Sequence, residues 1–243
     1  MPDALGEVIR SESQLLEIQC HKLYCAPPFG SFARIDCSGG EITVFAVVTQ
    51  VSTAPFDSNR LVQAHGLPPG ELEQKKPHLP TLFRTVFHAQ MVGYRSGDVL
   101  LAGTPPRPPR LHSYAYPAEE ADVRAVTESP SFLRSLTQVT EVPLEDLLVS
   151  ALGAARDASG PEAGGRLVTW GKYLARLLAR DYVTLEGVLR RVSPPSTLPP
   201  LRPAAVPARP SAAPPAGNGP GWEAPLPLAG SPVRRSLDPF EDA

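Results

Sequence analysis

The chain has 243 residues, with Lys+Arg 23 against Asp+Glu 25, a formal net charge of -2 and a sequence pI near 6.2. That balance excludes a surface built throughout to hold a phosphate backbone; it leaves room for a local basic face and favours a protein as the partner. Nearly half of the 30 prolines fall at or beyond Pro194, which leaves about 190 residues to fold, ample for a sizeable core.

Three cysteines, Cys20, Cys25 and Cys37, are an odd number without disulfide-dense spacing, as expected of reduced thiols in the cytoplasm. The opening MPDALGEVIRSES has acids near its start and no apolar stretch of signal-peptide length. No uncharged apolar run approaches the roughly 18 to 20 residues needed to cross a bilayer. The expectation is a soluble cytoplasmic protein without membrane insertion.

From Leu5 to Ile35 the apolar runs are short and broken by Pro27-Pro28 and Ser38-Gly39-Gly40, the pattern of antiparallel strands joined by turns. Gly39 and Gly40 supply the backbone freedom that folds Phe29–Ile35 back on the following strand. Ile42 to Thr53 is rich in β-branched and aromatic residues, and Phe45 to Val48 is nearly all apolar, so this strand is expected to be covered on both faces. It breaks at Ala54-Pro55-Phe56-Asp57-Ser58, where Asp57 or Ser58 reads as the cap of a short helix over Arg60 to His65, ended by Gly66. Pro68 and Pro69 open a second short helix, Gly70 to Lys76, closed by Pro77. Extended structure resumes at Leu82 to Tyr94 by strict alternation, with Gly93 placed for a bulge or bend. A turn at Ser96-Gly97-Asp98 leads to Val99–Leu101 and then to Pro105-Pro106-Arg107-Pro108-Pro109-Arg110, whose prolines donate no ladder hydrogen bonds and predict an arm. Leu111 to Tyr116 is expected as a last edge strand.

Beyond Pro117 the apolar period lengthens to that of a helix. Glu119–Glu128 and Ser131–Val139 read as two short helices, and Pro143 begins a third with the stripe Leu144, Leu147, Leu148, Ala151 and Leu152. One long helix is predicted from Gly165 to about Val192. From Pro194 onward Pro, Ala, Gly and Ser dominate, too little bulk to offset the entropy of ordering. The expected fold is therefore α+β: a small antiparallel β-barrel over 1–117 with a short helical excursion, a helical subdomain over 118–193, and a disordered tail over 194–243.

No catalytic signature accompanies this architecture. Gly171-Lys172 continues into Tyr173 inside a helix and is not a phosphate loop, and neither a nucleophile elbow nor a zincin motif occurs. Adjacent Cys20 and His21 on a strand point to opposite faces, which argues against a zinc site with Cys25 and Cys37. A site in a cleft around Asp57, Arg60 and His88 is the remaining enzymatic reading. Lys172, Arg176 and Arg180 repeat at four-residue steps, with Arg190 and Arg191 beyond. They read either as a nucleic-acid face or as the solvated side of an amphipathic helix with Asp181 and Glu186 interleaved. The proline arm reads either as a ligand for an aromatic groove or as a rigid connector from barrel to helices.

GEVIRSES, FGSFARI, FAVVTQVSTAPFDSNRLVQAHGL, FHAQMVGY, PPRPPRLHSYAY and FLRSLTQV together resemble the bacterial HAS-barrel proteins over about Leu5 to Val192. The resemblance implies a small β-barrel of the kind that forms the collar of HerA-type DNA translocases and of rotary ATP synthase catalytic subunits, where it packs subunits into a ring. This chain departs from those enzymes in having no phosphate-loop domain after the barrel, so ATP hydrolysis is not implied. What is implied is an assembly or adaptor protein, without cofactor or metal, that binds a protein partner or itself, with a ring ATPase as the partner by analogy. The candidate contacts are Asp57, Arg60 and the Pro105–Arg110 arm.

Overall fold

A computed structural model describes residues 4–37, 42–57, 59, 61–68, 71 and 74–192. The glycine turn at Ser38-Gly39-Gly40, Arg60 and the tail lie outside them. Among the described residues seven strands occur: β1 Gly6–Ser11, β2 Leu15–Cys20, β3 Phe32–Asp36, β4 Ile42–Pro55, β5 Phe83–Ser96, β6 Val99–Ala102 and β7 Tyr114–Pro117. Every pairing is antiparallel, in the order β2-β1-β7-β3-β4-β5-β6, and an additional β2–β5 ladder closes six of them into a barrel with β6 outside the closure.

Five helices follow: α1 Glu120–Val126, α2 Phe132–Leu136, α3 Leu144–Ser159, α4 Ala163–Leu177 and α5 Tyr182–Val192. The alternation of β4 explains how they attach. Val44, Ala46 and Val48 point into the barrel beside Ile18, Ile35, Phe87 and Met91, whereas Phe45 and Val47 point outward into a second cluster with Phe132, Leu136, Leu148 and Trp170. One strand thus serves two cores. Thr49 in β4 and Val92 in β5 have no opposite number in their ladder, so two bulges bend this long hairpin around the barrel, the second next to Gly93.

Polar contacts fix the helical layer. Asp122 of α1, almost buried, accepts a 2.7 Å hydrogen bond from Arg95 and lies 3.9 Å from Arg34. Both guanidiniums stack on barrel aromatics, Arg95 over Phe45 and Arg34 over Tyr116. The Trp170 indole N–H donates to the Thr127 carbonyl at 2.9 Å, and its ring meets Phe132 edge-on. Gly30 holds a left-handed φ of 77° against α3, where a Cβ would come within 2.3 Å of the Ser150 Cβ.

Three expectations are corrected. The long helix from Gly165 to Val192 is two helices, because the Asp181 carboxylate accepts the Thr184 N–H at 3.1 Å and starts α5 afresh after a turn at Leu178–Arg180. Leu61 to Gly66 has no helix. Asp57 Oδ1 instead accepts the N–H of Asn59, two residues on, a local turn that competes with capping. The helical part of the excursion is the turn around Glu71, Gln74 and Lys75. Finally, β7 is no edge: it lies between β1 and β3, and it starts only at Tyr114 because His112 adopts a left-handed φ of 65°.

Candidate functional site

β4 outruns its neighbour. β3 covers it only from Thr43 to Val47, so from Gln50 to Pro55 the strand pairs with β5 alone, and its other edge has no ladder partner among the described residues. Residues 50 to 54 are exposed, which makes the far end of the β4–β5 hairpin a ribbon at the barrel rim. Its inner edge is secured: Thr53 and Thr85 hydroxyls share a 2.8 Å hydrogen bond, and the Tyr24 N–H donates to the Thr85 Oγ1 at 2.8 Å. The outer edge carries Gln50, Val51, Ser52, Thr53 and Ala54, with no charge among them. Natural edges are usually guarded by lysine, proline or a bulge; here the Thr49 bulge precedes the edge and Pro55 ends it, and Gln50–Ala54 between them carry no such guard.

Large apolar side chains surround this edge. Val51 is 43% exposed, Phe56 55%, Val62 65%, Tyr24 72% and Leu61 93%. A cleft of about 600 Å3 opens between Tyr24, Thr53, Leu61, Val62 and the returning residues Lys76 and Phe83. Such grouped apolar exposure marks an interaction surface, whereas single exposed leucines do not.

The residues singled out from sequence distribute unevenly around this rim. Asp57 is exposed at the ribbon's tip, engaged with Asn59, and no hydrogen bond joins it to His88, which stands in β5 opposite Glu17 and Gln50. Asp57 and His88 are therefore not brought together, and Arg60, the third member of that reading, lies outside the described residues. Pro105 and Pro109 are buried, while Pro106, Arg107, Pro108 and Arg110 face out, and the arm runs from β6, outside the closure, to β7 of the barrel, which corrects the reading of it as a connector from barrel to helices. Cys20 lies in the barrel core and His21 turns outward to Glu7, on opposite sides of β2. Among the described residues no group of three or more His, Cys, Asp or Glu could hold a metal ion, and no helix is long and apolar enough to cross a membrane.

Of the five basic candidates, Lys172 and Arg176 are exposed on α4 and Arg180 is exposed in the turn that follows it. Arg190 pairs with Glu186 at 2.6 Å, and Arg191 bridges Glu145 and Asp146 of α3 at 3.0 and 2.7 Å. Those acids raise the affinity of Arg191 for its proton, Asp146 foremost.

One polar cluster escaped the sequence reading. Glu7 of β1 joins His112 Nδ1 at 2.9 Å and His21 Nε2 at 3.2 Å, and these two hydrogen bonds, His112 first, hold its carboxyl below its ordinary value of 4.5. No spacing could reveal it, since His112 is 105 positions away. Comparison with protein-family models and with curated proteins returns no match to this sequence.

Proposed function

We propose that the protein is a non-enzymatic assembly or adaptor factor whose barrel rim takes an extended segment of a protein partner as an added strand along Gln50–Pro55. The observation that carries this reading is the uncharged edge of β4, without a ladder partner among the described residues and set among exposed apolar side chains. An added strand satisfies the free main-chain groups, and the cleft beside Leu61 and Val62 receives alternate side chains of the incoming segment. The resemblance to HAS barrels supports a ring ATPase as the partner, and the absence of a phosphate loop in the sequence supports a binding role.

The test is affinity capture with the full chain and with Val51→Lys, Leu61→Asp and Val62→Asp together, followed by identification of the retained proteins. These side chains are exposed, so the variant should melt within about 0.5 kcal/mol of the parent per site. The expected result is a defined partner held by the parent and lost by the variant. Equal retention by both proteins, or turnover of ATP by the purified chain, would sink the proposal.

A further inference from the structure

The polar groups beside the rim narrow the kind of strand it can take, an inference that rests on strand addition along Gln50–Pro55. Phe56 donates its N–H to the Leu82 carbonyl at 3.0 Å, so its main-chain groups face β5, and by alternation so do those of Ala54 and Ser52. The outward groups are therefore the N–H and C=O of Val51 and Thr53 and the C=O of Pro55, which has no N–H to give. Val51 and Thr53 also share a side-chain face, and Thr53 lines the cleft. An added strand turns every second side chain toward that cleft.

The cleft combines apolar side chains, Leu61, Val62 and Phe83 among them, with Lys76, His65 and His78, and among the described residues no carboxylate lines it. Lys76 is half-buried and forms no ion pair among the described residues; its polar contact there is a long one, 3.5 Å from Nζ to His65 Nδ1. An ammonium can only donate, so Nδ1 accepts and the ring proton of His65 sits on Nε2 as a further donor. The neighbouring acids are engaged elsewhere: Glu71 pairs with Lys75 at 2.7 Å, and Asp57 holds the Asn59 N–H. Tyr24 supplies an aromatic wall. Its left-handed φ of 63° is strained for a residue other than glycine, and the hydrogen bond from its N–H to Thr85 Oγ1 keeps the exposed ring at the cleft.

These groups discriminate between incoming chains. A wholly apolar strand would fill the cleft beside Leu61 and Val62 but strip water from Lys76 and leave its charge without a partner, which is costly. A carboxylate removes that cost and gains charge-assisted hydrogen bonds. A nucleic-acid backbone would meet one ammonium and no guanidinium in this lining, too few cations for consecutive phosphates, and would cover the apolar side chains without using them.

We infer that the partner segment is an acidic, apolar β-strand whose carboxylate binds Lys76, with His65 beside it, and whose bulky apolar side chains pack against Leu61, Val62 and Tyr24. Because one face of the added strand meets the cleft, its Asp or Glu stands at an even spacing, two or four residues, from the apolar anchor. The main chain of β4 supplies attachment, and Lys76 supplies the choice among strands.

The test is selection of a phage-displayed random peptide library on the full chain, followed by fluorescence anisotropy with the enriched sequence as a synthetic peptide. The expected winners carry Asp or Glu at an even spacing from a bulky apolar residue. Exchanging that acid for its amide in the peptide should weaken binding about tenfold, and Lys76→Gln in the protein should weaken the acidic peptide equally while leaving the amide peptide unaffected. The peptide exchange needs no altered protein, so it stands even where Lys76→Gln disturbs the fold. N-methylation of alternate peptide residues tests strand addition separately: one set should abolish binding and the other spare it. Winners without an acid, or an acid whose amide binds as well, would overturn the inference and leave strand addition standing. No enriched sequence, or binding indifferent to both methylated sets, would remove strand addition and the inference with it.

Discussion

Replacing Trp170 with Phe probes the joint between the helices and the barrel. The indole is 1% exposed, and its N–H supplies the 2.9 Å hydrogen bond to the carbonyl of Thr127, at the end of α1. Phenylalanine keeps a ring against Phe132 but removes the donor, leaving a buried carbonyl unsatisfied at a cost of about 1 to 3 kcal/mol. The missing part of the indole leaves a void worth about 1 kcal/mol more. The sum is about 3 kcal/mol. For a fold of about 190 residues, each kcal/mol moves the midpoint by about 2 to 4 °C, so Tm should fall by about 6 to 12 °C. Circular dichroism at the helical band, followed on heating, reads this directly; tryptophan fluorescence does not serve because the variant keeps only Trp222, which lies outside the described residues. A fall of less than about 2 °C would refute the reasoning and show that the Thr127 carbonyl finds another donor.

Two further outcomes follow from the ionisable groups. The folded pKa of Glu7 is depressed below 4.5, so its contribution to stability is present above that value and is lost as pH falls through the folded pKa. Glu7→Gln should therefore melt below the parent near pH 6, and the two should converge as the pH falls through the lowered folded pKa; a gap that persists in strong acid would contradict the assignment. Among the thiols, burial, reinforced by Cys25, pushes Cys20 up to about 11, burial also raises Cys37, and Cys25 is exposed. At pH 8 only about one Cys20 in a thousand is thiolate, so a disulfide reagent should titrate Cys25 quickly and the other two slowly until the protein is unfolded. Mass spectrometry showing Cys20 modified as fast as Cys25 in the native protein would count against the described core.

The barrel was legible because its strands obey period two and their breaks are marked by glycine and proline. The β-branched run from Ile42 announced a strand covered on both faces, and the structure places Val44, Ala46 and Val48 on one side and Phe45 and Val47 on the other. Closure by β2 against β5 was not written in either strand, since pairing across such a separation depends on the whole barrel. Boundaries failed where one polar side chain decides between two local arrangements. Asp57 hydrogen-bonds two residues ahead and ends the excursion's first helix before it begins, while Asp181 does what Asp57 does not and caps a new helix. The leucine stripe across 165–192 persists through the break because Leu178 stays buried in the turn, so periodicity alone could not show it. The open rim was equally invisible, because an exposed strand edge is defined by where a neighbour's ladder ends, here at Phe32 opposite Val47.

The two-sided character of β4 has a consequence for how the fold comes apart. Phe32, Phe45, Val47 and Val92 belong to barrel strands but are buried among the helices, while their sequence neighbours Ala33, Val44, Ala46 and Met91 line the barrel interior. Melting the helices would strip the outer wall of a strand whose inner wall is still engaged, and opening the barrel would displace the surface on which the helices nucleate. The two layers are thermodynamically one lock with two keyways, so denaturation of residues 4–192 is expected as a single cooperative step, and shortening the chain at Pro117 would bare a band of aromatic and aliphatic groups instead of releasing a self-sufficient barrel.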